Sequence, residues 1–242
     1  MILLTSGCSF STVGDQKLGN TWPIHLSGYF SGHCSEAQPG QCNELISRRL
    51  IYRLNHLLKD TTSDNLFVCV MWTDPSRTAI YKETEEQCID EDYQFFPTHK
   101  HLNKGWIKVL STGASPTSKN YYKNFYDPVN SQIKTFDYIL LTQLFLKNKG
   151  IKYIMCSNSD SVLNHSDYEW KTHVNTTFYY DLLDCNKFIF SGLSDWASKH
   201  TKPYTRLPDG HPSPEQHKEY TEKVLVPFIN SRYDNLLNQF LG

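Results

Sequence analysis

The chain has 242 residues, of which 39% are hydrophobic and 14% aromatic, and its 24 basic and 25 acidic side chains leave a formal net charge of −1. That length and composition predict one globular domain over residues 1–242 and argue against a fibrous or disordered chain. Near-neutral charge leaves no basic footprint for a phosphate backbone, so nucleic acid is not an expected partner.

Ile2 to Thr5 is a short uncharged apolar run that stops at Ser6-Gly7, the pattern of a strand buried on both faces. The same opening, Met1-Ile2-Leu3-Leu4, has no positively charged flank and is too short for a secretory signal, which predicts cytoplasmic synthesis without a signal peptide. From Asn43 to Leu58, Leu45, Ile46, Leu50, Ile51, Leu54, Leu57 and Leu58 recur at helical spacing, predicting an amphipathic helix with Asn43 as its cap. Leu66 to Trp72 is a continuous run of β-formers ended by Thr73-Asp74-Pro75 and reads as a central strand.

Residues 79–125 mix Glu83, Glu85 and Glu86 with Tyr93, Phe95, Phe96, Trp106, Tyr121 and Tyr122 without a sustained period. This is an insertion leaving the carboxyl end of that strand, where parallel α/β sheets bind ligands; it reads equally as a lid or substrate wall and as a packed surface excursion. Val129 to Lys149 carries an apolar helical stripe closed by Gly150, and Ile151 to Cys156 follows at once as a strand, the signature of a parallel αβ unit. Lys187 to Phe190 reads as a last short strand, and Pro214 to Leu237 contains a final helix broken or kinked near Pro227. The longest apolar stretch, around residues 138–146, is interrupted by Thr142 and Gln143 and falls short of the roughly 18–20 residues of a membrane span.

Seven cysteines at positions 8, 34, 42, 69, 88, 156 and 185 include no CxxC pair, which fits reduced thiols rather than a disulfide framework or a zinc site. In a chain without an export signal, the acceptor-like Asn164-His165-Ser166 and Asn175-Thr176-Thr177 read as coincidence. His99-Lys100-His101 lacks an accompanying carboxylate or cysteine set, so no metal is expected there. There is no dinucleotide fingerprint, P-loop or HExxH, and no cofactor is expected.

The chemistry gathers in two places. Gly7-Cys8-Ser9-Phe10-Ser11 puts a serine on the turn after the first strand, where a hydroxyl is exposed and a helix N-terminus stabilises an oxyanion. Far along the chain, Asp209-Gly210-His211 stands in a Gly/Pro-rich loop before the last helix and offers an imidazole to activate Ser9 and a carboxylate to orient that imidazole. His217, inside the predicted final helix, reads as a surface or packing residue.

With these blocks the chain resembles the SGNH hydrolase superfamily of GDSL-like esterases, and most closely the variant forms of tailed phages. The resemblance implies a three-layer α/β/α sandwich, flavodoxin-like, with about five mostly parallel strands. It makes Ser9 the nucleophile, His211 the base and Asp209 the acid, although the usual Asp-x-x-His block has Pro208 three residues before His211. It assigns the oxyanion donors to the N–H groups of Ser9 and Gly40, and to Thr73 where the family's Gly-x-Asn-Asp block has an asparagine. Trp72 and Arg77 beside that block are expected to bind substrate, Trp72 as a stacking surface for a sugar ring. The implied activity is removal of an O-acetyl or similar small acyl group from a carbohydrate. The implied alternative is a catalytically weak scaffold that binds glycans or builds a virion.

Overall fold

The computed structural model describes residues 1–14, 19–81, 106–113, 115–163, 178–179, 181–201 and 207–240. The N-terminal run forms β1 (Ile2–Ser6), and the short helix α1 (Trp22–Ser27) opens with Pro23 in its first turn, where a missing N–H is harmless. There follow β2 (Gly32–Ser35), α2 (Asn43–Leu57), β3 (Leu66–Trp72), β4 (Thr78–Tyr81) and β5 (Trp106–Val109). The chain continues through α3 (Pro116–Asn124), α4 (Pro128–Asn148), β6 (Lys152–Ser157), α5 (Leu193–His200) and α6 (Pro214–Tyr220). A π-helical turn, Thr221–Leu225, leads into α7 (Val226–Arg232).

Four strands pair in the order β2-β1-β3-β6, all parallel, with Ile2 opposite both Gly32 and Leu66 and Phe67 opposite Lys152. Every residue of β3 is buried, as a strand covered on both faces requires. Alternate residues sort to opposite sides. Leu4, Val68, Val70, Trp72 and Met155 join Ile46, Leu50 and Leu54 of α2 and Phe136 and Ile139 of α4. Leu3, Phe67, Cys69, Met71 and Ile154 join Trp22 and Leu26 of α1, Trp196 of α5, Tyr220 of α6 and Ile229 of α7. Each fully buried leucine here contributes about 2 kcal/mol by removal from water. Helices therefore cover both faces of the sheet, an α/β arrangement compatible with three layers.

The expected strand at Lys187 to Phe190 is reduced to a single parallel bridge between Met155 and Phe188, with Ile189 N–H donating to Met155 O at 2.8 Å. The sheet thus has four strands among the described residues rather than about five. The cause lies at the edge of β6. The Tyr233 hydroxyl accepts from Tyr153 N–H at 3.0 Å and donates to Tyr153 O at 2.7 Å, occupying the groups a fifth strand would have paired.

Asn43 is the first residue of α2 rather than its cap, a position held by Cys42. Gly150, at φ +66°, ends α4 as expected, with its N–H on Lys147 O at 3.1 Å. The expected break near Pro227 is met by the π-helical turn just before it, since proline supplies no N–H to the preceding turn. In the inserted segment β4 and β5 form an antiparallel pair, Thr78 opposite Val109 and Tyr81 opposite Trp106. Residues 82–105, with His99 and His101, and the acceptor-like Asn164 and Asn175 lie outside the described residues. Among the described residues no helix is long and apolar enough to cross a membrane.

Candidate active site

The turn after β1 is tight because Gly7 permits it: a Cβ there would stand 2.3 Å from Ser11 Oγ and 3.1 Å from Met71 O. Ser9–Ser11 is one 3₁₀ turn and not the start of a long helix, so the expected helix N-terminus is not at this point. The turn closes through Ser11 N–H to Cys8 O at 2.9 Å and Thr12 N–H to Ser9 O at 3.2 Å. Trp22 Nε1 of α1 donates to Ser11 Oγ at 3.0 Å, fixing the turn to the helix beside it. Cys8 is fully buried while Ser9 is only half-buried, so the turn presents the serine hydroxyl and hides the thiol.

His211 reaches this turn from 202 residues away: its Nε2 lies 2.7 Å from Ser9 Oγ, and its ring sits 5.0 Å from that of Phe10. The loop carrying it is a compact turn. Gly210, at φ +84°, donates its N–H to Leu207 O at 2.8 Å, and Leu207 N–H reaches His211 O at 2.8 Å. Two residues later the chain enters α6 through a capping box between Ser213 and Gln216, which fixes where His211 leaves the helix.

Asp209 Oδ1 accepts the backbone N–H of His211 at 3.1 Å and lies 3.0 Å from its Nδ1. The Nδ1 contact is close but off the line of a hydrogen bond, and among the described residues Nδ1 is buried without an aligned partner. The two-residue spacing explains this: the carboxylate first closes a local Asx-type turn onto the backbone of His211 and meets the ring from the side. Burial acts to raise the Asp209 pKa, but the His211 N–H and imidazole outweigh it and hold the carboxyl below its usual range. With its side chain 53% exposed, Asp209 stays largely in water.

Gly40 lies on the loop between β2 and α2, at φ +67°. Gln38 N–H and Gln41 Nε2 both donate to Gly7 O, at 3.2 and 3.3 Å, tying this loop to the serine turn. From the other side Lys108 Nζ donates to Pro39 O at 2.8 Å. Beneath the loop Glu36 is buried against Arg49, Oε2 to Nη2 at 3.1 Å, with Arg53 Nε 3.7 Å from Oε1. Such a pair fixes geometry more than it adds stability, because both ions were taken out of water.

Past β3 the structure departs from the sequence-based expectations. Trp72 has no exposed surface and belongs to the core under α2 and α4, so it presents no ring face to a sugar. Thr73 is likewise fully buried, with its hydroxyl enclosed and, among the described residues, unpartnered. The cause is Asn43, whose Oδ1 accepts Thr73 N–H at 2.9 Å and whose Nδ2 donates to Thr73 O at 2.9 Å and to Thr135 Oγ1 at 3.1 Å. That carboxamide clasps the strand end as a neighbouring strand would. Sequence reading missed it because a polar residue at the start of a helix resembles a cap. Arg77, four residues further on, is partly exposed and lines a cavity between α2, α4 and the β3–β4 connection.

His217 proves to be a packing residue. It is buried in α6 with its Nδ1 accepting Trp22 N–H at 3.3 Å. Burial, helped by nearby His25 and His211, lowers its pKa to about 3, so it is neutral. No family model matches the chain, and no curated protein matches it.

Proposed function

We propose that the protein is a serine ester hydrolase of SGNH type that removes an O-acetyl or similar small acyl group from a carbohydrate. The observation that carries the reading is the 2.7 Å contact between Ser9 Oγ and His211 Nε2, which is the reach a base needs to take a hydroxyl proton. In this scheme Ser9 Oγ attacks the acyl carbon as its proton passes to His211. The oxyanion is received by the N–H groups of Ser9 and Gly40, and the imidazolium then protonates the departing sugar oxygen. Water, deprotonated by His211, releases the acid and restores Ser9.

The enclosed Thr73 removes one oxyanion donor, at a cost of about a hundredfold or more in rate. That same observation favours a second reading, in which the SGNH-type scaffold is a weak catalyst serving as a glycan-binding or virion structural component. Hydrolysis of p-nitrophenyl acetate by the protein and its Ser9→Ala variant separates the two. The esterase reading expects at least a thousandfold loss of kcat/KM in the variant, together with fluorophosphonate labelling of Ser9 in the parent. A folded parent that neither turns over nor is labelled supports the binding scaffold.

A further inference from the structure

The cavity beside Arg77 is bounded by the first residues of α2, including Asn43 and Glu44, the β3–β4 connection, and Lys134 and Tyr138 of α4. Its volume is about 90 Å³. A single water needs only about 10–15 Å³ of such space, so the cavity admits a group the size of a carboxylate or a sulfate. Its walls carry an unbalanced charge. Arg77 Nη1 is enclosed and has no hydrogen-bond partner among the described residues, and Lys134 adds a second, exposed cation. Among the described residues the one carboxylate in the wall, Glu44, is already matched by Arg48 Nε at 2.9 Å. Asp74, close by in sequence, turns its Oδ1 onto Ser76 N–H at 2.7 Å. The positive end of the 15-residue helix α2 faces the same space and adds to its preference for an anion.

The cavity also opens at the right edge of the sheet. Pro75 and Arg77 leave the carboxyl end of β3, and Ser9 leaves that of β1, its hydrogen-bonded neighbour about 5 Å away. The α2 residues in its wall follow directly on the loop tied to Gly7.

We propose that this cavity receives the single negative charge of an acidic sugar substituent, a carboxylate or a sulfate ester, on the acylated glycan. The assignment of substrate class rests on the esterase reading above. A guanidinium fork matches either group in a bidentate manner. The neutral, unsubstituted sugar gains nothing from Arg77.

The test is an amide NMR titration of the full chain with D-glucuronate, D-glucose 6-sulfate and D-glucose, repeated on Arg77→Met and Lys134→Met. Among the described residues neither side chain makes an ion pair, so both variants should keep the parent's thermal midpoint. The expected result is saturable binding of one or both anions with shifts at Arg77 and the start of α2, no comparable binding of glucose, and at least a tenfold loss of affinity in Arg77→Met. The tighter of the two anions names the substituent. Equal binding of glucose and the anions, no binding of either anion, or undiminished affinity in Arg77→Met would overturn the assignment. Because the titration involves no ester cleavage, it separates the two proposals. Anion binding through Arg77 without p-nitrophenyl acetate turnover keeps the cavity and sinks the esterase, and the reverse result sinks only the cavity.

Discussion

Two corners of one sheet edge, the turn after β1 and the turn after β3, start from similar material and finish with opposite properties. Each places a small hydroxyl residue just beyond a buried strand. At the first, Ser9 stays accessible and meets an imidazole from a distant loop at 2.7 Å. At the second, Thr73 is sealed, its backbone held on both sides by Asn43. What decides between them is where the backbone finds its partners. The β1 turn satisfies its own groups through a 3₁₀ turn and leaves the side chain free, whereas the β3 end borrows a carboxamide from α2 and is buried by it.

The closed corner gives the largest effect. Asn43→Ala leaves the buried Thr73 N–H and carbonyl without partners, and about 3 kcal/mol of stability should be lost, as read from urea unfolding. If the unfolding midpoint is unchanged, the clasp is incidental and the contrast between the corners has another cause.

The open corner rests on a dry support, and pH exposes it. His217 is held neutral with a pKa of about 3 against an ordinary 6.5, so below pH 6.5 the unfolded chain takes up a proton that the folded chain refuses. Stability contributed by this group is present above pH 6.5 and falls as the pH drops toward 3, at up to about 1.4 kcal/mol per pH unit. Between pH 6.5 and pH 5 that amounts to about 2 kcal/mol. His217→Gln should flatten this part of the pH–stability curve, and equal slopes in the two proteins would show that His217 is not what makes the support acid-sensitive.

The same contrast sets what was legible in the sequence. β1, β3, β6, α2 and α4 announce themselves through continuous or helically spaced apolar residues, because a strand or helix facing a core has no other way to bury itself. β2, Gly-His-Cys-Ser, is a half-buried edge of four residues and carries no such run. The fifth strand misled because Phe188 and Ile189 are buried as core residues after only one bridge, while a tyrosine 80 residues from Tyr153 takes its place on the edge. Ser9, Asp209 and His211 were readable as residue types in loops, and the fold brings the three side chains together. Thr73 was misjudged because the residue that closes it lies 30 positions earlier, and no local pattern links a helix's first asparagine to the end of a later strand.

The smallest effect bears on how the open corner is organised. In a serine triad whose aspartate is buried and aligned with the imidazole, Asp→Asn costs on the order of ten thousandfold in kcat. Here Asp209 is half exposed, meets Nδ1 off-axis, and spends the same oxygen on the His211 backbone N–H. An asparagine retains that oxygen and hence the turn, so Asp209→Asn removes only the charge and the side-on contact. The expected loss of kcat/KM toward p-nitrophenyl acetate is therefore only about tenfold, since an exposed charge stabilises an imidazolium weakly. A ten-thousandfold loss would mean that Asp209 swings into line during turnover and acts as a full third member. No loss at all would leave Ser9 and His211 working as a pair, with Asp209 serving only to shape the loop that delivers the imidazole.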